Sequence, residues 1–374
     1  MRCAVYSDNN LCSALERFPV IRNFKRTAAI FGIVAATSTG LVACSESDSG
    51  SEGGSEVSGD LTGEGASSQK SAMSVFEKAF LDEHPDANFS YTSSGSGAGV
   101  EAFTNGTVDF AGSDSALKED KGEIEAAKKR CEGNDAWHLP TTIGPVAIAY
   151  NLGDKEVNLK TETLAKIFKG EITKWNDDAI KAENEGANLP EKDITVIFRS
   201  DESGTSDNFQ KFLKSATGNW DSEGKQFPDA VGEGANGSSG VADQVASIEG
   251  AITYVEAGFA DKKANIDFGG GPVELTDEAV EKTLDGLEFK TEGHNMVVDS
   301  DKLFKTDAAG AYPLVLTTYE IVCSAGYDEA TSKMVKDFLN VALDSQDDEL
   351  AAEGFIPVKG AHAERLREAI NAIK

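Results

Sequence analysis

From about residue 60 onward, short β-like apolar runs alternate with stretches in which apolar side chains recur every three or four positions. That alternation predicts an α/β fold, with helices layered on parallel-rich sheets. In "KSAMSVFEKAFLDE" (70–83), Met73, Phe76, Phe80 and Leu81 share one helical face, so a helix is expected there. "ANFSY" (87–91) predicts a strand, "GVEAF" (99–103) a short helix and "TVDFAG" (107–112) a second strand. "IGPVAIAYN" (143–151) has the character of a buried strand, and "TETLAKIFKG" (161–170) that of a helix closed by Gly170. "DITVIFRS" (193–200) predicts another strand, followed by a helix through Phe209, Phe212 and Leu213 with Ser206 or Asp207 as its N-cap. "AITYVEAGFA" (251–260) precedes a loop-rich acidic region to about 310, and "YPLVLTTYEIVC" (312–323) reads as a long strand. Two helices near 329–345 and 362–373 finish the chain. The glycine-rich pieces "GEGANGSSG" and "FGGGPV" are expected as loops.

The first 60 residues break this pattern. Arg22, Lys25 and Arg26 form a basic region before "TAAIFGIVAATSTGLVA" (27–43), an apolar stretch too short and too rich in Ser, Thr and Gly for a membrane span. A signal peptide is therefore expected over 1–43, with Val20 as a candidate initiator. It ends in Leu41-Val42-Ala43-Cys44, which resembles a bacterial lipobox and implies that Cys44 carries the lipid of an extracytoplasmic, membrane-anchored protein. Residues 44–60 are expected as a flexible acidic tether, because Val57 is the only core-forming residue of "SESDSGSEGGSEVSGD" (45–60). After cleavage and lipidation only Cys131 and Cys323 remain as thiols. An oxidising compartment allows them to pair, although spacing alone does not bring their Cα atoms together.

A chain of 374 residues suits two domains, each with its own core. Its formal net charge of -29 makes nucleic acid and anionic membrane surfaces poor partners for the chain as a whole. Removing 1–43 takes away five basic and two acidic residues, so -29 becomes -32.

The chemistry concentrates in "FRSDESGTSDNF" (198–209), where three readings compete: a nucleophilic serine, a metal loop, or an anion cup. Ser203, Gly204 and Thr205 lie just before an expected helix N-terminus, where several backbone N–H groups have no partner within the helix. Arg199 adds a planar, permanently charged fork. "LTGEGASSQKSAM" puts Ser67 and Ser68 before the first helix in the same way, and "YTSSGSGAGVEAF" puts Ser96 before the second. Open α/β sheets bind ligands at the carboxyl ends of their strands. Asp114, at the end of "TVDFAGSD", is either a helix N-cap for "SALKED" or an acceptor for a hydrogen carried by the anion. Phosphate carries such a hydrogen near neutral pH and sulfate does not, so an acceptor there would discriminate between them.

A hydrolase is the main rival. Ser96, Ser113 and Ser203 all lie outside G-x-S-x-G, and His84, His138, His294 and His362 fall outside the anion loops. His84, before Pro85, is expected to close the first helix. The chain has no H-E-x-x-H, EF-hand or G-K-[ST] pattern, so neither a metal, a nucleotide nor any other cofactor is expected.

At these residues the chain resembles the PstS family, the phosphate-binding lipoproteins of bacterial ABC phosphate importers. The shared pieces, in order, are "TGEGASS", "GSGAGV", "TVDFAGSD", "TLAKIFKGEITKWND", "RSDESGTSDNF" and "GAITYVE", spanning about 60–360. The resemblance implies a two-domain, periplasmic-binding-protein-like (type II) α/β fold with two crossover segments and an interdomain cleft. The crossings would fall near Pro140-Thr141 and Tyr312-Pro313, giving one domain of 61–140 with 312–374 and another of 141–311. The implied phosphate-binding residues are Ser67, Ser68, Ser96, Asp114, Arg199, Ser203, Gly204 and Thr205, with Asp201 holding the arginine. Ser67-Ser68 departs from family members that have threonine and a bulky residue there, so only the N–H of Ser68 is firmly implied. The resemblance implies a monomeric, non-enzymatic receptor that hands phosphate to a membrane permease; a phosphatase-like hydrolase and a sulfate-like oxyanion receptor stand as alternatives.

Overall fold

In the computed structural model, which describes residues 58–374, β1 (Gly59–Gly65) leads through a 3-10 turn at Ser67–Gln69 into α1 (Lys70–Glu83). Then come β2 (Ala87–Thr92), α2 (Ser96–Thr104), β3 (Phe110–Ser113), α3 (Glu123–Arg130), β4 (Ala136–Tyr150) and β5 (Asn158–Lys160). The next group is α4 (Thr161–Phe168), α5 (Asp178–Glu183), β6 (Thr195–Arg199), α6 (Gly204–Thr217), β7 (Glu233–Ala235), α7 (Gly237–Ser247) and β8 (Ala251–Glu256). The chain finishes with β9 (Asn265–Asp267), β10 (Pro272–Val273), α8 (Asp277–Leu284), α9 (Ser300–Phe304), β11 (Val315–Cys323), α10 (Glu329–Asp344), α11 (Asp348–Ala352) and α12 (Gly360–Ala372).

Eight strands form one sheet in the order β2-β1-β3-β11-β4-β8-β6-β7, and β10-β9-β5 form a small second sheet. Two parallel groups, β2-β1-β3 and β8-β6-β7, flank a long antiparallel pair. That pair is β11 and the first part of β4, while the second part of β4, from Val146 to Tyr150, pairs with β8. A register shift at Thr318/Tyr319 faces Pro140-Thr141, as expected where proline has no N–H to give to the ladder.

Aromatic side chains hold the helices to both groups. Phe338 of α10 stacks on Phe89 and Phe110 at ring-centroid distances of 4.8 and 5.2 Å, and Phe209 of α6 stacks on Tyr254 at 4.6 Å. Each such buried ring contributes about 1.5–3 kcal/mol. Cys131, after α3, and Cys323, at the end of β11, form a disulfide with Cα atoms 5.3 Å apart.

The helix expected at 70–83 has those bounds, and His84 closes it by donating its N–H to Phe80 O. Other expectations need correction. "TVDFAG" is strand only from Phe110, and β1 starts at Gly59, inside the expected tether. "SALKED" is not helical; the helix there, α3, begins at Glu123. "GEGANGSSG" is not a plain loop, because it contains β7 and the start of α7. The expected loop region to 310 contains β9, β10, α8 and α9. Short apolar patches in an acidic background carry too little periodicity to register as elements. The expected signal peptide, Cys44 and the tether up to residue 57 lie outside the described residues.

Candidate anion site between the two parallel strand groups

The loops after β1, β3, β6 and β7 are hydrogen-bonded to one another, and four helix starts gather there: the Ser67 turn before α1, α2 at Ser96, α6 at Gly204 and α7 at Gly237. A residue at such a start has backbone N–H groups without intrahelical partners, which is favourable for an anion.

Every site residue named from the sequence comes to this place except Ser203, whose side chain has another task. Its Oγ accepts the Ser206 N–H, making Ser203 the N-cap of α6 in place of the expected Ser206 or Asp207. Helix α6 therefore starts three or four residues earlier than expected from its apolar periodicity. Three hydroxyls, those of Ser68, Ser96 and Thr318, converge on Asp114, which caps no helix. Ser68 donates to Oδ1 at 2.6 Å, Thr318 donates to Oδ1 at 2.7 Å, and Ser96 donates to Oδ2 at 3.2 Å. Ser96 Oγ also accepts the N–H groups of Asp114 (3.1 Å) and Gly204 (3.2 Å), so it links the two strand groups directly. Ser67 Oγ accepts the Ser238 N–H at 3.0 Å and makes the same kind of link.

Position 204 has no room for a side chain: a Cβ would lie 2.5 Å from both Ser96 Oγ and Asp114 Cβ. Gly65 is equally constrained, with φ +147° and Gly112 O only 2.0 Å from where a Cβ would stand.

Arg199 is 3% exposed. Its Nε and Nη2 hold Asp201 in a bidentate pair at 2.8 and 2.5 Å, while Nη1 points to Ser238 Oγ (3.2 Å) and Thr205 Oγ1 (3.5 Å). Burial alone would lower the guanidinium's pKa, but the hydrogen bonds and charge of Asp201, with Glu256 behind them, raise it. Asp201 is itself lowered: burial pushes it up, and Arg199 outweighs burial. Asp114 is pushed up to about 6, first by burial and then by the charge of Glu256, against the hydroxyl bonds of Ser68 and Thr318 and the charge of Arg199. A cavity of about 250 Å³ opens beside Asp114, with Lys118, Lys211 and Lys290 on its wall.

Three participants were missed in the sequence. Ser238 opens α7 behind "GANG", the same small-residue pattern as the other loops, and that signal was available. Thr318 sits mid-strand, and only the antiparallel pairing of β11 with β3 brings it to Asp114. Glu256 ends β8 and accepts the Thr205 hydroxyl at 2.5 Å, with its other oxygen buried and without a hydrogen-bond partner. Nothing in "GAITYVE" announces a second carboxylate beside an anion cup.

The hydrolase rival gains nothing from this geometry. Buried His138 is engaged by the Leu117 N–H and Asn295, and burial pushes its pKa down to about 4.

Fold and site together define a binding protein of the periplasmic type, and residues 50–346 match the family model described as a PBP superfamily domain. The chain is 40% identical over 368 residues to Phosphate-binding protein PstS 3 of Mycobacterium tuberculosis (strain ATCC 25618 / H37Rv), covering 93% of this chain and 99% of that one. It is 42% identical over 322 residues to the PstS 3 of Mycobacterium leprae (strain TN), covering 84% and 86%. The chain belongs to the PstS phosphate-binding protein family. Among solved structures, the high affinity periplasmic phosphate-binding protein PfluDING bound with phosphate superposes with a TM-score of 0.66 at 22% identity, covering 83% of this chain and 93% of that one. A phosphate-binding protein from Stenotrophomonas maltophilia gives 0.62 at 23%, covering 83% and 93%. At those identities the likeness speaks for the fold.

Proposed function

We propose that this chain captures inorganic phosphate where the four helix starts meet and delivers it to an ABC-type permease, without chemical change to the ion. The observation that carries the proposal is the joining of one neutralised arginine to one acceptor acid. Arg199 is paired with Asp201, so its Nη1 and the neutral dipoles around it bind an anion without excess positive charge. Asp114, ionised above about pH 6, accepts the hydrogen of the bound ion. Ser67, Ser68, Ser96, Gly204, Thr205 and Ser238 supply N–H and O–H donors, and Ser203 holds the α6 start in place.

In this reading residues 61–140 with 312–374 close on 141–311, and the irregular pairing of Pro140-Thr141 with β11 supports a hinge there. The receptor acts as a monomer on the outer face of the cell membrane, held by lipid on Cys44. Among the described residues no helix is long and apolar enough to cross a membrane. Calorimetry of the purified protein with phosphate and with sulfate tests the proposal. Tight phosphate binding with weak sulfate binding is expected. Equal affinities would favour a general oxyanion receptor, and turnover of a phosphate ester would favour the hydrolase.

A further inference from the structure

Away from the anion donors, a second set of contacts joins the two sides of the site. Lys225, in the segment between α6 and β7, is 1% exposed, and its ammonium reaches Glu123 Oε1, at the start of α3, at 3.4 Å. The other oxygen of Glu123 accepts the Lys118 N–H at 2.7 Å. Lys118 Nζ in turn pairs with Asp207 of α6 at 3.3 Å, and Ser115 Oγ donates to the same carboxylate at 2.7 Å. These contacts border the site from both sides: Ser115 follows Asp114, and Lys225 O accepts the N–H of Ser203 at 3.0 Å. Gln210 of α6 is fully buried and holds the segment rigid, donating to Gly224 O (2.7 Å) and Gln226 O (3.0 Å) on either side of Lys225.

Building on the phosphate reading, we infer that Glu123 and Lys225, supported by Lys118 and Asp207, form a charged clasp that sets how long the ion is retained. They are positioning residues, because none of them is among the groups proposed to touch phosphate. A lysine with so little access to water needs its partner: burial pushes its pKa down and Glu123 opposes this. Opening the cleft would rehydrate both charges, whereas losing one partner leaves a buried charge uncompensated and favours the open form. Changes of this kind act mainly on release rates.

Stopped-flow association and release of inorganic phosphate would be measured for the wild type, Glu123→Gln, Lys225→Met, the double variant and Lys118→Ala. Release is expected to quicken roughly tenfold or more in Glu123→Gln and Lys225→Met, with association within about twofold. The phosphate-to-sulfate affinity ratio should stay unchanged, and the double variant should release no faster than the faster single one, because both remove one clasp. Lys118 is only partly buried, so Lys118→Ala is the variant easiest to fold, and it should quicken release in the same direction. Wild-type release rates in folded Lys225→Met and Lys118→Ala overturn the clasp while leaving phosphate binding intact. A wild-type protein that binds no phosphate removes the reading beneath it, and the clasp with it.

Discussion

Replacing Asp114 with asparagine tests the acceptor at the centre of the site. Asparagine Oδ1 keeps the bonds from Ser68 and Thr318, at 2.6 and 2.7 Å in the native carboxylate. Its NH₂ then replaces Oδ2, the atom that receives Ser96 at 3.2 Å, and turns an acceptor into a donor. Phosphate loses a charge-assisted hydrogen bond, about 1.5–3 kcal/mol, while sulfate loses a lone-pair repulsion. At about 1.4 kcal/mol per tenfold, the phosphate-to-sulfate affinity ratio should fall roughly 10- to 150-fold, with phosphate binding weakened but retained. Competition calorimetry at pH 7.5 reads the ratio directly. pH supplies an independent check: native Asp114 takes up a proton as pH falls through about 6, so the wild-type ratio should decline there more steeply than that of Asp114→Asn, which keeps only the dependence that comes from the ion's own protonation. An unchanged ratio in the variant, or wild-type and variant ratios that run parallel between pH 5 and 8, would refute the reasoning.

Three further outcomes are expected. Arg199→Ala should weaken phosphate binding more than Ser203→Ala, because it removes a charge-assisted bond of roughly 1.5–3 kcal/mol and leaves Asp201 without its buried partner, whereas Ser203→Ala removes only the cap of α6, about 1 kcal/mol of helix stability; equal losses by calorimetry would contradict this order. Gly204→Ala should reduce affinity at least about tenfold without abolishing folding, since the new methyl meets Ser96 and Asp114 only when the two sides are together; wild-type affinity would show that the sides need not approach so closely. Glu320 is fully buried on β11, and burial pushes its pKa from 4.5 up to about 8. Its contribution to stability is thus full below about pH 4.5 and is lost as pH rises through about 8, by up to about 5 kcal/mol. Glu320→Gln should remove that loss, so urea unfolding of the ligand-free protein should show the variant gaining on the wild type from pH 5 to 9; parallel curves would count against it.

The sequence by itself determined whatever depends on neighbours along the chain. Helix 70–83 was legible to the residue because its apolar face repeats locally, and the loops at Ser67, Ser96 and Gly204 were legible because small residues before a helix leave main-chain donors accessible. The pairing of Arg199 with Asp201, two positions apart, was implied by the family resemblance and not by the local pattern. The start of α6 lies three or four residues before the expected one because its first turn is polar, and polar side chains carry no period. Tertiary structure alone decided the partners. Ser67 meets Ser238 across 171 residues and Asp114 meets Thr318 across 204, distances over which only strand order sets proximity. Glu256 belongs to the site for the same reason: a carboxylate beside an anion cup is legible only when the arginine and hydroxyl that compensate it are seen to surround it.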